Sequence, residues 1–404
     1  MKRLQQCAIL LLTMLCLCMT GCKQEAKEPV LPVVSITAES LTDWEGKEDK
    51  REAELTYYDP ETGFTFTQSI TIKPQGNTSL TFDKKNFTIK LKDEAVELQS
   101  AWGAQSKYCL KANYIDPTHA CNVVSARLVG QMQEATGLFE GLPNRGAVDG
   151  FPVWVTLNGE DAGVYTWNIP KDAWMFGMDE DNENHIVLCS EGWSDACMLQ
   201  SAEFIPEEDW SLEVGDEDIA YDRFQRVVDF IVYATDEEFV EHFDEYLNLD
   251  ACLNYYCFMC VSDAYDNDGK NLLMVTWDGL VWQPMLYDLD SLWGIGWNGK
   301  ELSTGYATSM VYTWNRLFQR IWELYNPQLL ERYAMLRDGV LSEENIWKEF
   351  DRFAAEIPEE ALAWDDQYWH PNGEYFRTYE LMRQQVEVYL PMVDEIFGYT
   401  PKTK

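Results

Sequence analysis

The sequence predicts an α+β protein, β-rich in its first part and helix-rich in its second. Three observations carry this. Residues 33–92 alternate like strands, helical periodicity dominates from about residue 218, and 46% of the 404 residues are hydrophobic, enough for a sizeable core. An aromatic fraction of 14% adds to that core and excludes global disorder. The 69 acidic residues against 31 Lys and Arg give a net charge of −38 at pH 7. Such a surface repels nucleic-acid phosphates and anionic lipid, so no nucleic-acid partner is expected.

The elements follow in order. Met1-Lys2-Arg3 precedes an apolar run over residues 7–19, which has signal-peptide length and is too short for a comfortable membrane span. The run ends Met19-Thr20-Gly21-Cys22, which resembles the lipobox of bacterial lipoproteins. Residues 1–21 are therefore read as a lipoprotein signal peptide and 22–36 as a tether that begins at a lipidated Cys22. The remaining 37–404 form one domain, β-rich over about 37–190 and helical over about 191–404. On this reading the protein is exported to the bacterial cell envelope and anchored in the membrane by lipid.

Asp59-Pro-Glu-Thr-Gly63 separates two strand-like runs. In Asn86-Phe-Thr-Ile-Lys-Leu-Lys92 the alternation turns Phe87, Ile89 and Leu91 inward and Thr88, Lys90 and Lys92 outward. A strand over 108–113 leads through Asp116-Pro-Thr, a helix-start signal, into an amphipathic helix to about Gln133. Residues 151–169 read as a hairpin turning at Asn158-Gly159. Helices are expected over 218–262, interrupted at Asn248-Leu249-Asp250. A hairpin across Asp278-Gly279 follows, then helices over 311–400 with breaks near Pro327, Pro358 and Pro371. Cys257 and Cys260 form a C-x-x-C inside an apolar run, without a second pair or a nearby His to complete a zinc site, and read as core. A Cys189–Cys197 disulfide stays open, and the four His suggest neither a triad nor a zinc centre.

Two stretches carry candidate chemistry. Asp263, Asp266, Asp268, Asn271, Asp288 and Asp290 come from two loops joined by one hairpin, which could close them into one site. Oxygen ligands without His or Cys suit Mg²⁺, Mn²⁺ or Ca²⁺. Phosphate must also be drawn into a strongly acidic protein, so a nucleotide site needs local positive charge. The densest basic segment is Lys84-Lys85-Asn-Phe-Thr-Ile-Lys90-Leu-Lys92, preceded by Lys73-Pro-Gln-Gly76-Asn-Thr-Ser79.

Five motifs in this order resemble the CotH family of spore-coat and secretory kinases, over roughly residues 70–295. They are Ile72-Lys-Pro-Gln-Gly-Asn-Thr-Ser79 with its lysine-rich strand, Leu110-Lys-Ala-Asn-Tyr-Ile-Asp116 with Asn122, and Val155-Thr-Leu-Asn-Gly-Glu-Asp-Ala-Gly-Val-Tyr165. The last two are Asp263-Ala-Tyr with Lys270-Asn271, and Asp288-Leu-Asp290 with Gly294. The resemblance implies a bilobal atypical protein-kinase-like fold that uses ATP with Mg²⁺ or Mn²⁺ on a protein substrate. It makes Asp263 the candidate general base, with Asp266, five residues before Asn271, as the second candidate. Asp288 becomes the principal metal ligand, supported by Asn271 and Asp290. Lys73, Lys85 and Lys90 are the candidates for nucleotide phosphates, the choice between Lys85 and Lys90 remaining open. Three positions depart from the family pattern: Gln75 and Cys121 stand for Arg, and Ile169 for a Glu. These departures leave a catalytically inactive pseudokinase scaffold as one alternative. Exposed faces among 16 Trp, 21 Tyr and 18 Phe leave a surface carbohydrate-binding protein as another.

Overall fold

The computed structural model describes residues 30–302, 304–373 and 378–402, so the expected signal peptide and lipidation site, Cys22, lie outside the described residues. Alternation in the first half becomes a closed surface. Seven strands form a barrel in the order β1-β2-β3-β4-β7-β9-β8: β1 (Val33–Thr37), β2 (Arg51–Tyr58), β3 (Thr65–Gln75), β4 (Asn86–Leu91), β7 (Lys107–Lys111), β8 (Gly150–Leu157) and β9 (Glu160–Asn168). Parallel pairing of β1 with β8 closes it, Val33 opposite Trp154. Closure removes sheet edges and fills the interior with side chains from alternate positions. Ile70, Ile72, Phe87, Ile89, Tyr108 and Trp167 are buried there, while Lys90 and Lys92 stay outside as the alternation requires. A two-stranded sheet, β5 (Val96–Glu97) with β6 (Ala104–Gln105), caps one side through Tyr108 Oη, which donates to the Val96 carbonyl at 2.7 Å.

The second sheet has the order β11-β10-β12-β13, with β10 (Ile186–Ser190), β11 (Trp210–Val214), β12 (Leu272–Thr276) and β13 (Gln283–Leu286). β12 and β13 are the expected hairpin; β10 and β11 were not foreseen. All five residues of β10 and of β12 are buried. The Leu249–Ser262 helix packs on β13, buried from Ala251 to Ser262, with Asn248 capping its start by accepting from Ala251 N–H at 3.0 Å. It carries Cys252, Cys257 and Cys260, which are free and buried, as are Cys189 and Cys197. Helices then fill the C-terminal part, from Thr304–Val311 to Tyr379–Ile396, and break where the prolines predicted. None of the described helices is long and apolar enough to cross a membrane.

Candidate active site

A cleft of about 670 Å³ opens between the outer face of the barrel and the β12–β13 hairpin. Its barrel wall follows one register row: Lys73 pairs with Thr88 and Thr88 with Cys109, all on the face opposite the apolar interior. Lys111 lies two residues beyond Cys109 on the same face of β7 and also lines the cleft. At the end of β3 the chain turns through Gly76, whose φ of +99° and close approach to Ser79 leave no room for a Cβ. Ser79 Oγ donates to the Gln75 carbonyl at 3.0 Å and holds that turn over the cleft.

The opposite wall comes from the hairpin. Asn271 and Asp288 stand just outside its first paired residues, Leu272 and Leu286, and both adopt left-handed backbone, φ 60° and 54°. Asn and Asp tolerate that conformation better than other residues with a Cβ, and it folds both loop ends toward one space. The segments are cross-braced. Asn267 Nδ2 donates to the Tyr287 carbonyl at 2.8 Å, Asn271 N–H to Ser190 O at 2.9 Å, and Leu289 N–H to Asn122 Oδ1 at 3.1 Å. Asp266, Asn271, Asp288 and Asp290 thus line one cleft with Lys73.

Three expected site residues are not brought there. Asp263 ends the Leu249–Ser262 helix in a left-handed turn and is 1% exposed. Its Oδ1 has no hydrogen-bond partner among the described residues, and burial pushes its pKa up to about 8. A base must reach the proton it takes, and this carboxyl is sealed beneath the loop. Lys85 lies before β4, donating to the Leu80 and Phe82 carbonyls and facing a different depression. Lys90 is on the outer face of β4, as expected, but beyond the cleft rim.

Asp266 is half-buried, and burial raises its pKa to about 6, Lys270 opposing and Asp288 adding to the shift. A carboxylate tuned near neutrality is suited to accept a hydroxyl proton. Lys111 reaches Asp288 at 3.7 Å; burial disfavours its charge, but Asp288, Cys109 and Asp290 outweigh this and raise its pKa. Lys171 meets Glu213 at 2.6 Å and lies over the Tyr287 ring. This lysine–acid pair occupies the cleft two residues after Ile169, itself buried in the core, and supplies an acid the sequence did not identify.

Lys111, Lys171 and Glu213 were therefore missed. A signal existed for Lys111: it stands in the quoted Leu110-Lys-Ala-Asn motif, alternating with buried Leu110 and Ala112. Cys189, Glu191 and Glu213 place ligand atoms within 4.8 Å of one another. Lys171 already neutralises Glu213, Ser211 Oγ donates to Glu191 at 2.6 Å, and burial raises the Cys189 thiol to about 12, so this trio is ill-suited to a cation.

The residues present fit a metal-bound triphosphate. The oxygen donors Asn271, Asp288 and Asp290 suit a hard cation, and lysines gather on the facing wall of an otherwise acidic protein. Gln75 also lines the cleft with a buried Oε1 that has no partner among the described residues. A family model described as CotH kinase protein matches residues 72–390. A search of curated proteins finds no match.

Proposed function

The chain belongs to the CotH kinase family, and we propose that it transfers the γ-phosphate of ATP to a protein hydroxyl in a metal-dependent reaction. The observation that carries this reading is the convergence of Asp266, Asn271, Asp288 and Asp290 on the lysine-bearing barrel wall. Barrel side and hairpin side correspond in this reading to the two lobes of an atypical kinase. Asp266, rather than buried Asp263, accepts the hydroxyl proton. Asp288, Asn271 and Asp290 hold Mg²⁺ or Mn²⁺, which screens the triphosphate charge when bound. Lys111 and Lys73 orient phosphate oxygens, and the Gly76–Ser79 turn covers them. Export and lipid anchoring through Cys22 belong to the same proposal and rest on the lipobox-like sequence.

The test is intact-mass spectrometry of the purified chain after incubation with ATP and Mg²⁺ or Mn²⁺, beside Asp288→Ala. A phosphoryl-sized adduct on the wild type, or on an added protein, that the variant does not form is the expected result. A nucleotidyl-sized adduct would change the reaction. Tight nucleotide binding without adduct or ATP turnover would support the pseudokinase reading that Gln75 and Ile169 suggest.

A further inference from the structure

Three of the most exposed indoles are attached to one loop, the one that carries Asp266. Trp193, 49% exposed, stacks on Tyr265 with ring centroids 6.3 Å apart and planes 14° from parallel. Trp297, 54% exposed, donates its backbone N–H to Tyr265 Oη at 2.9 Å. Trp314, 73% exposed, donates its backbone N–H to Asp268 Oδ2 at 3.2 Å. Asp268 is buried, and it also accepts from Thr313 Oγ1, while its own carbonyl accepts from Asn315 Nδ2 at 2.9 Å. Trp193 and Trp297 line the cleft itself. Large apolar side chains are normally buried, so two exposed indoles in the cleft and a third anchored to the same loop mark a binding surface.

We propose that these indoles form an acceptor platform for a neutral saccharide chain, giving the site a further acceptor besides a protein. The inference rests on the phosphoryl-transfer reading of the cleft and extends it. A pyranose ring offers a C–H face to stack on an indole and a rim of hydroxyls to meet the surrounding carboxylates. One of those hydroxyls is the group Asp266 needs. The net charge of −38 disfavours an anionic polymer. A peptide added as a strand needs a free sheet edge; the barrel beside the cleft is closed, and on β11, the edge strand next to it, the Trp210 carbonyl and Leu212 N–H are already bound by Glu207. In the step, the sugar oxygen bonds to the γ-phosphorus. The bond from that phosphorus to the β–γ bridging oxygen breaks, its electron pair leaving with ADP, and the hydroxyl proton passes to the Asp266 carboxylate.

Binding is measured apart from transfer, by calorimetry of the full chain against neutral hexasaccharides of β-1,4-glucan, β-1,4-xylan, α-1,4-glucan and N-acetylated β-1,4-glucosamine. At least one should bind. The Trp193→Ala, Trp297→Ala, Trp314→Ala triple variant should weaken that binding about tenfold or more. Tyr233→Ala, which removes a ring 70% exposed on the Glu217–Tyr233 helix, should not change it. Absence of binding by all four sugars, or binding unchanged in the triple variant, overturns the platform. Capture of peptides but not sugars by the same indoles overturns it too. With ATP and Mg²⁺ added, phosphate should appear on the bound sugar. Sugar binding with ATP hydrolysis but no sugar phosphate overturns the acceptor role. Sugar binding with neither hydrolysis nor transfer overturns the kinase reading instead.

Discussion

Two lysine–acid pairs in this protein differ in almost everything except their chemistry. Lys84 and Asp365 meet at 2.7 Å with side chains 1% and 4% exposed, whereas Lys111 and Asp288 stand 3.7 Å apart, 14% and 34% exposed. Asp365 comes from the Glu359–Trp369 helix and ties it to the barrel. It accepts from Lys84, from Val164 N–H at 2.8 Å, and shares a 3.1 Å contact with His119 Nε2. Burial would raise its pKa, but Lys84 and His119 outweigh that and hold it at about 2. Both Asp365 oxygens are taken within the protein, and Lys84, although it lines the cleft, already gives two of its three N–H groups to Asp365 and the Val164 carbonyl. Asp288 has one distant lysine, a left-handed backbone and an open cleft, which leaves its oxygens available to a cation. Slack in the contact, rather than the presence of opposite charges, distinguishes a working pair from a fastening one.

Removing one partner from each pair is the sharpest way to break the comparison. Asp365→Ala strands a buried ammonium and should cost about 3–5 kcal/mol, read as a lowered denaturant midpoint. Asp288→Ala should abolish transfer and cost less, about 1–2 kcal/mol, because Ala fits the left-handed backbone there poorly while Lys111 keeps Asp290 nearby. Equal destabilisation by the two variants would erase the distinction.

The two acids three residues apart, Asp263 and Asp266, sharpen it further. Asp266→Asn should reduce transfer by about 100-fold or more at neutral pH. In the wild type the rate should fall as pH drops through about 6, where Asp266 gains its proton. A flat rate between about pH 5 and pH 7 would exclude it as the base.

Asp263→Asn should keep the fold and most of the activity, since the buried carboxyl already carries its proton near neutrality. Its folded pKa of about 8 lies well above that of an ordinary carboxyl group, so the native state binds the extra proton between the two. Stability linked to Asp263 is therefore full at low pH and declines as pH rises toward about 8. Denaturant titrations at several pH values should show that decline in the wild type and a smaller one in the variant. The smallest effect is expected at Lys90, whose Ala variant should leave nucleotide affinity nearly unchanged while Lys111→Ala weakens it. Affinities measured by calorimetry decide the pair, and the reverse order would return the phosphate site to β4.

The order of strands and helices was legible because it rests on local signals. Alternation in 86–92 turned Lys90 outward, Asn158-Gly159 turned the β8–β9 hairpin, and Pro327, Pro358 and Pro371 stopped helices. The acidic half of the site was legible for a related reason: Asn271 and Asp288 flank a single hairpin, so their proximity follows from chain geometry. The lysines were not. Lys111 and Lys171 reach the cleft only because β7 neighbours β4 and β9 in the closed barrel and because β11 brings Glu213 back beside Lys171.

Asp263 shows the same division at one residue. The family resemblance made it the candidate base. The Tyr379–Ile396 helix, more than a hundred residues away, packs over it, with Tyr389 Oη donating to the neighbouring Val261 carbonyl at 3.1 Å. By itself, then, the sequence determined the elements, their order, and which acids share a loop, because backbone propensity and side-chain period act over a few residues. Only the tertiary structure decided which acids and lysines meet solvent in one cleft, because burial depends on elements distant in the chain that pack against each of them.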